Sequence, residues 1–351
     1  MIYYPHSIEL NSILADITFS DILISPSYSE ITSRSEVSTC TELDKIQLSL
    51  PVISANMKTV TGSKMATVMS ENGGLGIIHR FCSIEDNVLL FQDAIHHLTC
   101  NVSEWPYKVG VSVGVQEEDK KRFDCLYMAG AKLFCIDVAH GHHIFMKNMI
   151  SWIRDNYPED VCIIAGNVAT GNGAEDLKKW GANIIKVGIG PGRGCTTRKN
   201  TGVGVPQISA LMECRRAVGN KFPIISDGGI TCSGDVSKAL IFANAVMVGS
   251  YVAGTSESPG HVFRGEDDVL YKVYGGSASG ESKTSNGQDK KFVEGITITV
   301  PFRGKVKYIL KEIREGIQSA LSYTGVNNLK DFRQKSSFRI ISGGSSKESK
   351  Y

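Results

Sequence analysis

One segment concentrates the residue types that do chemistry: Lys186-Val187-Gly188-Ile189-Gly190-Pro191-Gly192-Arg193-Gly194-Cys195-Thr196-Thr197-Arg198. A β-branched run leads into four glycines, then a cysteine flanked by hydroxyls and a cation. Glycines let the backbone turn sharply and approach a ligand closely. A thiol there is a candidate nucleophile, because an ordinary thiol pKa of about 8.5 falls where amides and a cation such as Arg198 favour the thiolate. The plain alternative is a small residue packed in a tight turn. Exposed backbone carbonyls of the same loop suit a monovalent cation, and its exposed amides an anion. The spacing excludes two phosphate loops: Pro191 and Gly194 break the dinucleotide fingerprint, and no Gly-Lys-Ser/Thr follows.

Other polar residues also close apolar runs. Asp227 in Ser226-Asp227-Gly228-Gly229 can accept two hydrogen bonds from a ribose diol, or merely close a turn. Val248-Gly249-Ser250 ends the next run. Asp137 and Asn167 follow two earlier ones, with Asp137 the better candidate for a cofactor ribose or amide. His140-Gly141-His142-His143 offers metal-binding side chains, but the spacing supplies no third ligand and no supporting carboxylate. Arg34 and Arg80 are candidate phosphate or cofactor contacts, or simple surface ion pairs. Glu294, between Val293 and Gly295, matters only if its segment folds over Cys195.

The elements that must position these groups are legible. Eight apolar runs recur: Leu50–Ala55, Gly74–Ile78, Val109–Val113, Lys132–Asp137, Val161–Ala165, Asn183–Val187, Pro223–Asp227 and Ala245–Gly249. Near-continuous apolar runs mark strands buried on both faces, hence a parallel sheet. Amphipathic stretches lie between most of them: Ser63–Ser70, Asp119–Ala129, Ile144–Asn156, Asn172–Trp180, Val205–Val218 and Gly234–Phe242. Eightfold alternation predicts a (β/α)8 TIM barrel, with an open doubly wound sheet as the alternative. Asp137, Asn167, the cysteine loop, Asp227 and Gly249 all fall where such barrels build active sites, at strand C-terminal ends. We read residues 1–340 as one catalytic barrel. Residues 1–48 cover its bottom or one side, a glycine- and serine-rich mobile flap spans about residues 275–295, and a last helix covers Lys305–Leu321. The Ser- and Lys-rich tail, 341–351, reads as disordered.

Composition sets the outer bounds. The 351 residues carry 38 basic and 36 acidic side chains, a net charge of +2, which gives no basic stripe for nucleic acid. No apolar run approaches a membrane span, and no secretory signal opens the chain. Nine cysteines with no Cys-x-x-Cys pair argue against structural zinc and for reduced thiols in a cytoplasm-like compartment.

These residues resemble the IMP dehydrogenase/GMP reductase family. The resemblance is carried by Phe19–Ile24, Ser54-Ala55-Asn56-Met57, Asp137-Val138-Ala139-His140-Gly141, Ala165-Gly166-Asn167-Val168, Gly188–Arg198, Thr201–Gln207 and Ser226–Gly229, and it covers residues 15–340. It implies a homotetrameric barrel that uses a covalent cysteine. Ile78 and Val109 lie too close for an inserted regulatory (CBS) domain, and no Arg-Tyr pair occurs in the flap. Cys195–Gly204, Glu294-Gly295 before Val300–Gly304, and Leu329–Phe332 resemble the reductase branch. For that branch the resemblance implies NADPH-dependent conversion of GMP to IMP and ammonia through a Cys195 thioimidate.

It further implies catalytic Cys195, Thr197 and Glu294. Substrate contacts fall to Ser54, Asp227, Gly228, Gly229, Gly249, Ser250, Ser277 and Lys291, and cofactor contacts to Arg80, Asp137, Ala139 and Asn167. A potassium ion would sit on the Gly190, Gly192 and Cys195 carbonyls. The chain departs from the family pattern at Arg193, where Ser is common, and at Lys58, Arg80, Ser250 and Gly276. Two alternatives stay open: an IMP dehydrogenase without the regulatory domain, and a non-catalytic barrel that binds purine nucleotides.

Overall fold

The computed structural model describes residues 2–3, 16–98, 108–275 and 295–348. The eight apolar runs become eight parallel strands: β1 (Val52–Ser54), β2 (Leu75–Ile78), β3 (Val109–Val113), β4 (Leu133–Asp137), β5 (Cys162–Val168), β6 (Ile184–Val187), β7 (Ile224–Asp227) and β8 (Ala245–Val248). They close into a barrel in chain order, with β8 pairing to β1. Every residue of β2, β3, β6 and β8 is buried, which is why the runs show no polar alternation.

The outer ring consists of α1 (Ser63–Glu71), α2 (Ile84–His96), α3 (Glu117–Met128), α4 (Ile144–Asn156), α5 (Gly171–Trp180), α6 (Gln207–Val218), α7 (Ser233–Leu240) and α8 (Val306–Thr324). Local chemistry sets their ends. Thr170 accepts the Gly173 amide at 3.3 Å to start α5, and Gly181, at φ +108°, ends it. Helix α2 was not among the expected stretches. Its signal is a start signal rather than a long stripe: Ser83 accepts the Asp86 amide at 3.0 Å, and Glu85 and Asp86 sit in the positive first turn. Helix α8 seals the ring by burying Ile309, Ile313, Ile317 and Leu321 at helical spacing.

Described residues before β1 serve both ends of the barrel: Phe19 packs against Gly229 in the loop after β7, and a hairpin covers the N-terminal end. The hairpin Thr41–Leu43/Ile46–Leu48 buries Leu43, Ile46 and Leu48, while Thr41 donates to the Asn244 carbonyl (2.9 Å) just ahead of β8. The tail departs from the compositional expectation, because Gly343–Glu348 is helical. The preceding strand Phe338–Ile340 pairs with Ile22–Ile24 and Ile2–Tyr3, and the Ile341 amide bonds to Asp21 O at 2.8 Å. Tertiary pairing therefore delivers the tail onto folded surface and overrides its composition.

After β8 the chain forms an antiparallel sheet of Phe263–Arg264, Leu270–Gly275 and Thr297–Pro301, with Gly275 opposite Thr297. Most of the expected flap, residues 276–294, lies outside the described residues.

Candidate active site

At the C-terminal ends of the strands, the loops after β6, β7 and β8 converge. Cys195 is half-buried, its amide closing a turn on Gly192 O at 2.9 Å, and its thiol donates to Thr197 Oγ1 at 3.2 Å. Arg198 follows Thr197 on the same loop. Its guanidinium donates to Ile189 O and Val205 O, so it braces both flanks of the loop. The loops after β6 and β7 touch at Gly228, where a Cβ would lie 2.9 Å from Pro191 Cγ and the φ is +92°, so only glycine fits without strain. Beside them Gly249 abuts the buried Tyr274, whose hydroxyl contacts Met57 Sδ at 3.6 Å.

Gly295 pairs with Cys195 in an antiparallel bridge, and the Ile296 amide donates to Gly194 O at 3.0 Å. The residue after Glu294 is thereby tied to the thiol loop. Glu294 itself, with Ser277 and Lys291, lies outside the described residues.

A charged cluster fills the mouth between β4 and β7. Lys186, on β6 and only 2% exposed, donates to Asp137 Oδ1 and Asp227 Oδ2, both at 2.7 Å, and to Asn167 Oδ1. Asn167 also donates to Asp227 Oδ2 at 2.9 Å and to Gly188 O at 2.7 Å. Asn56, in the loop after β1, donates to Asp137 Oδ2 at 2.9 Å. The site needs Gly166 on β5, since a Cβ there would lie 2.6 Å from Lys186 O.

Burial opposes ionisation of Asp137, but the charge and hydrogen bond of Lys186, with Asn56 and Arg80, outweigh it and hold the carboxyl below its usual range. Burial likewise disfavours the Lys186 ammonium, and the two carboxylates reverse that and push its pKa above the ordinary lysine value. The residue is thus held as a cation between the two carboxylates. The carboxylates remain within reach of a ligand, with side chains 17% exposed at Asp137 and 20% at Asp227.

Next to Asp137, a cavity of about 560 Å³ is lined by Arg80, Cys82, Val115, Gln116, Arg122 and Val138. Arg80 donates to Asp137 O at 3.4 Å, and its buried Nε has no partner. Glu85, Glu118 and Asp119 also line it, so its charge is mixed, and the unpartnered Arg80 Nε is the donor it leaves for a polar ligand.

Of the expected site residues, Asp137, Asn167 and Asp227 meet at Lys186, Arg80 donates to the Asp137 carbonyl, and Cys195 pairs with Thr197; Ala139 is exposed two residues after β4. Ser54 ends β1 but is fully buried, its hydroxyl accepting from Thr61 (2.8 Å). Ser250 opens the short helix Ser250–Ala253 beside Gly249. The histidines serve local structure: His142 contacts Asp176 at 2.9 Å, and His143 accepts the Phe145 amide to cap α4. No group of three or more metal-ligating side chains occurs among the described residues. Arg34 donates to Tyr323 Oη (3.1 Å) and lies over its ring. Sequence reasoning missed Asn56 and the bridging part of Lys186. A lysine inside an otherwise apolar strand was the available signal.

The eight cysteines among the described residues are free, and burial pushes the Cys162 thiol up to about 12 and those of Cys135 and Cys214 further. These are inert packing groups. No helix among the described residues is long and apolar enough to cross a membrane.

The architecture is a (β/α)8 barrel with its polar groups gathered at the strand C-terminal ends, the layout of barrel enzymes. The chain belongs to the IMP dehydrogenase/GMP reductase family, whose domain model matches residues 16–351. It is 41% identical over 335 residues to a GMP reductase of Acidovorax sp. (strain JS42), covering 94% of this chain and 97% of that protein. It is 37% identical over 331 residues to the GMP reductase of Vibrio vulnificus (strain YJ016), covering 91% and 93%. It is 32% identical to the inosine-5'-monophosphate dehydrogenase of Nitrosopumilus maritimus (strain SCM1), covering 92% and 95%. That last alignment runs over 457 positions, well beyond the 351 residues here, so the dehydrogenase carries inserted sequence that this chain lacks.

Proposed function

We propose that this protein is an oxidoreductase of the GMP reductase type, converting GMP, NADPH and two protons to IMP, NADP⁺ and ammonium. The observation that carries the reading is the half-buried Cys195 thiol, 3.2 Å from Thr197 and bridged to Gly295, on a loop packed against Gly228. The 41% identity to a protein named GMP reductase, against 36% and 32% to proteins named inosine-5'-monophosphate dehydrogenase, supports this branch over the dehydrogenase.

In this reading the GMP phosphate lies at Gly228, Gly229, Gly249 and Ser250, the site common in barrels after strands seven and eight. Arg193, exposed on the neighbouring loop, adds a charge toward it. The ribose diol donates to Asp227, whose Oδ1 has no partner among the described residues. The Cys195 thiolate attacks purine C2, the C2–N bond to the exocyclic amine breaks, and Thr197 and Glu294 pass protons so that ammonia leaves. The product of that half-reaction is a thioimidate on Cys195. Arg80, Asp137, Ala139 and Asn167 would hold the nicotinamide cofactor, which supplies a hydride to C2 when bound. Cys195 then departs as the thiolate and IMP is released. Water must stay out while the thioimidate exists, because hydrolysis there would give a different product.

The carbonyls of Gly190, Gly192 and Cys195 are the candidates for potassium, the Gly192 carbonyl already accepting the Cys195 amide. We further propose a homotetramer of cytoplasmic location, which light scattering and fractionation test.

The direct functional test incubates the protein with GMP and NADPH, or with IMP and NAD⁺. The reading expects NADPH oxidation with one ammonia released per turnover. NADH formation from IMP, with no reaction of GMP, overturns it in favour of the dehydrogenase. Nucleotide binding without turnover in either pair leaves the non-catalytic barrel.

A further inference from the structure

Lys186 touches no opening of the site, being 2% exposed, yet one ammonium bonds the carboxylates of both proposed subsites at 2.7 Å. Its three donors meet three acceptors, on β4, β5 and β7. Each carboxylate also has an amide partner, Asn56 for Asp137 and Asn167 for Asp227. The two subsites are therefore one hydrogen-bonded unit rather than two neighbours.

We propose that Lys186 is a positioning residue that couples nucleotide binding to cofactor binding, by holding Asp227 for the ribose of the one and Asp137 for the other. The proposal rests on the reading above. Two carboxylates share one cation, so the cluster carries a net charge of −1. A ribose hydroxyl donating to Asp227 fixes that carboxylate, and through the shared ammonium it fixes Asp137 as well. The first ligand also orders a cluster that the second then finds ordered. Linkage makes the effect reciprocal, and couplings of this kind commonly change affinity by about 5- to 150-fold.

The test is calorimetric binding of GMP to the full-length protein, without and with saturating NADP⁺, which brings no hydride, and with ammonium in excess to hold the nucleotide as GMP. Wild type is expected to bind GMP at least about fivefold more tightly with NADP⁺ present. Lys186→Met should bind each ligand more weakly and bring the ratio near one. Lys186→Arg should restore part of the ratio, because it keeps the charge. Should Lys186→Met not fold, Asp137→Asn decides instead, since it keeps the shape while breaking one ion pair and should lower the same ratio. Wild-type coupling in a folded Lys186→Met, or in Asp137→Asn in its place, overturns the proposal, as does wild type that binds both ligands without coupling. Wild type that binds neither GMP nor NADP⁺ brings down the functional reading itself.

Discussion

Two cations are buried at opposite ends of this barrel, and their surroundings differ. At the N-terminal end Arg215, 3% exposed, donates to the carbonyls of Phe242, Gly219 and Phe222 and to Asn244 Oδ1. All these partners are neutral, and burial, with the Arg333 charge, pushes the guanidinium below its usual pKa range. At the C-terminal end Lys186 meets two carboxylates that remain partly open. The first arrangement joins α6 to the turns before β7 and β8 and is complete. The second has acceptor capacity left over, which is what a site awaiting ligand hydroxyls requires. Burial alone therefore does not mark function; a buried charge whose partners still face an opening does.

Predictions follow that contrast from the largest effect downward. Cys195→Ala should lower turnover by on the order of 10⁴-fold or more while leaving the melting temperature near wild type, because it removes the nucleophile. A variant retaining a tenth of the rate excludes covalent catalysis. Arg215→Met should do the opposite: it takes the guanidinium from the buried Phe242 carbonyl and from the part-buried Gly219 and Phe222 carbonyls, and should cost about 2–4 kcal/mol of stability, with kcat per folded molecule unchanged. Urea unfolding and active-site-normalised rates measure the two halves.

His79 offers a pH test between these extremes. Burial, with the charges of Lys58 and Arg122, lowers its pKa to about 4, and its Nδ1 accepts the Phe81 amide. A folded-state value below the unfolded one, about 6.5, contributes stability that is present above pH 6.5 and lost as pH falls through 4. Wild-type stability should fall by about 2–3 kcal/mol across that window, and His79→Gln should flatten the fall. The depressed Asp137 pKa places its loss of stability below the ordinary carboxylate range, and the raised Lys186 pKa places its own above the ordinary lysine range. The smallest effect should be Asp227→Asn, raising the KM for GMP by about tenfold with kcat less affected, since one ribose acceptor is weakened rather than lost. A kcat loss equal to the loss in kcat/KM shows instead that Asp227 acts only in the transition state.

Much of this architecture was legible because barrel strands declare themselves: all eight runs are strands, since burial on both faces forbids polar alternation. The Cys195 loop was legible from its glycines, and Asp137, Asn167 and Asp227 from their places at strand ends. Less legible were features made by distant pairing. The tail helix follows a strand whose partners lie over 300 positions earlier, and α2 shows a cap rather than a long stripe. The bracing of the cysteine loop by Arg198, through Ile189 O and Val205 O, shows only in the folded loop. Asn56 and Lys186 became site residues only when β1, β4, β6 and β7 were brought around one mouth.

The central claim is that sulfur of Cys195 bonds transiently to the purine ring, and peptide-level mass spectrometry of protein quenched during turnover with GMP tests it most directly. The account predicts a purine nucleotide adduct, short of one ammonia, on the peptide containing Cys195. Steady ammonia release with Cys195 unmodified under every quench, or an adduct confined to another cysteine, contradicts it.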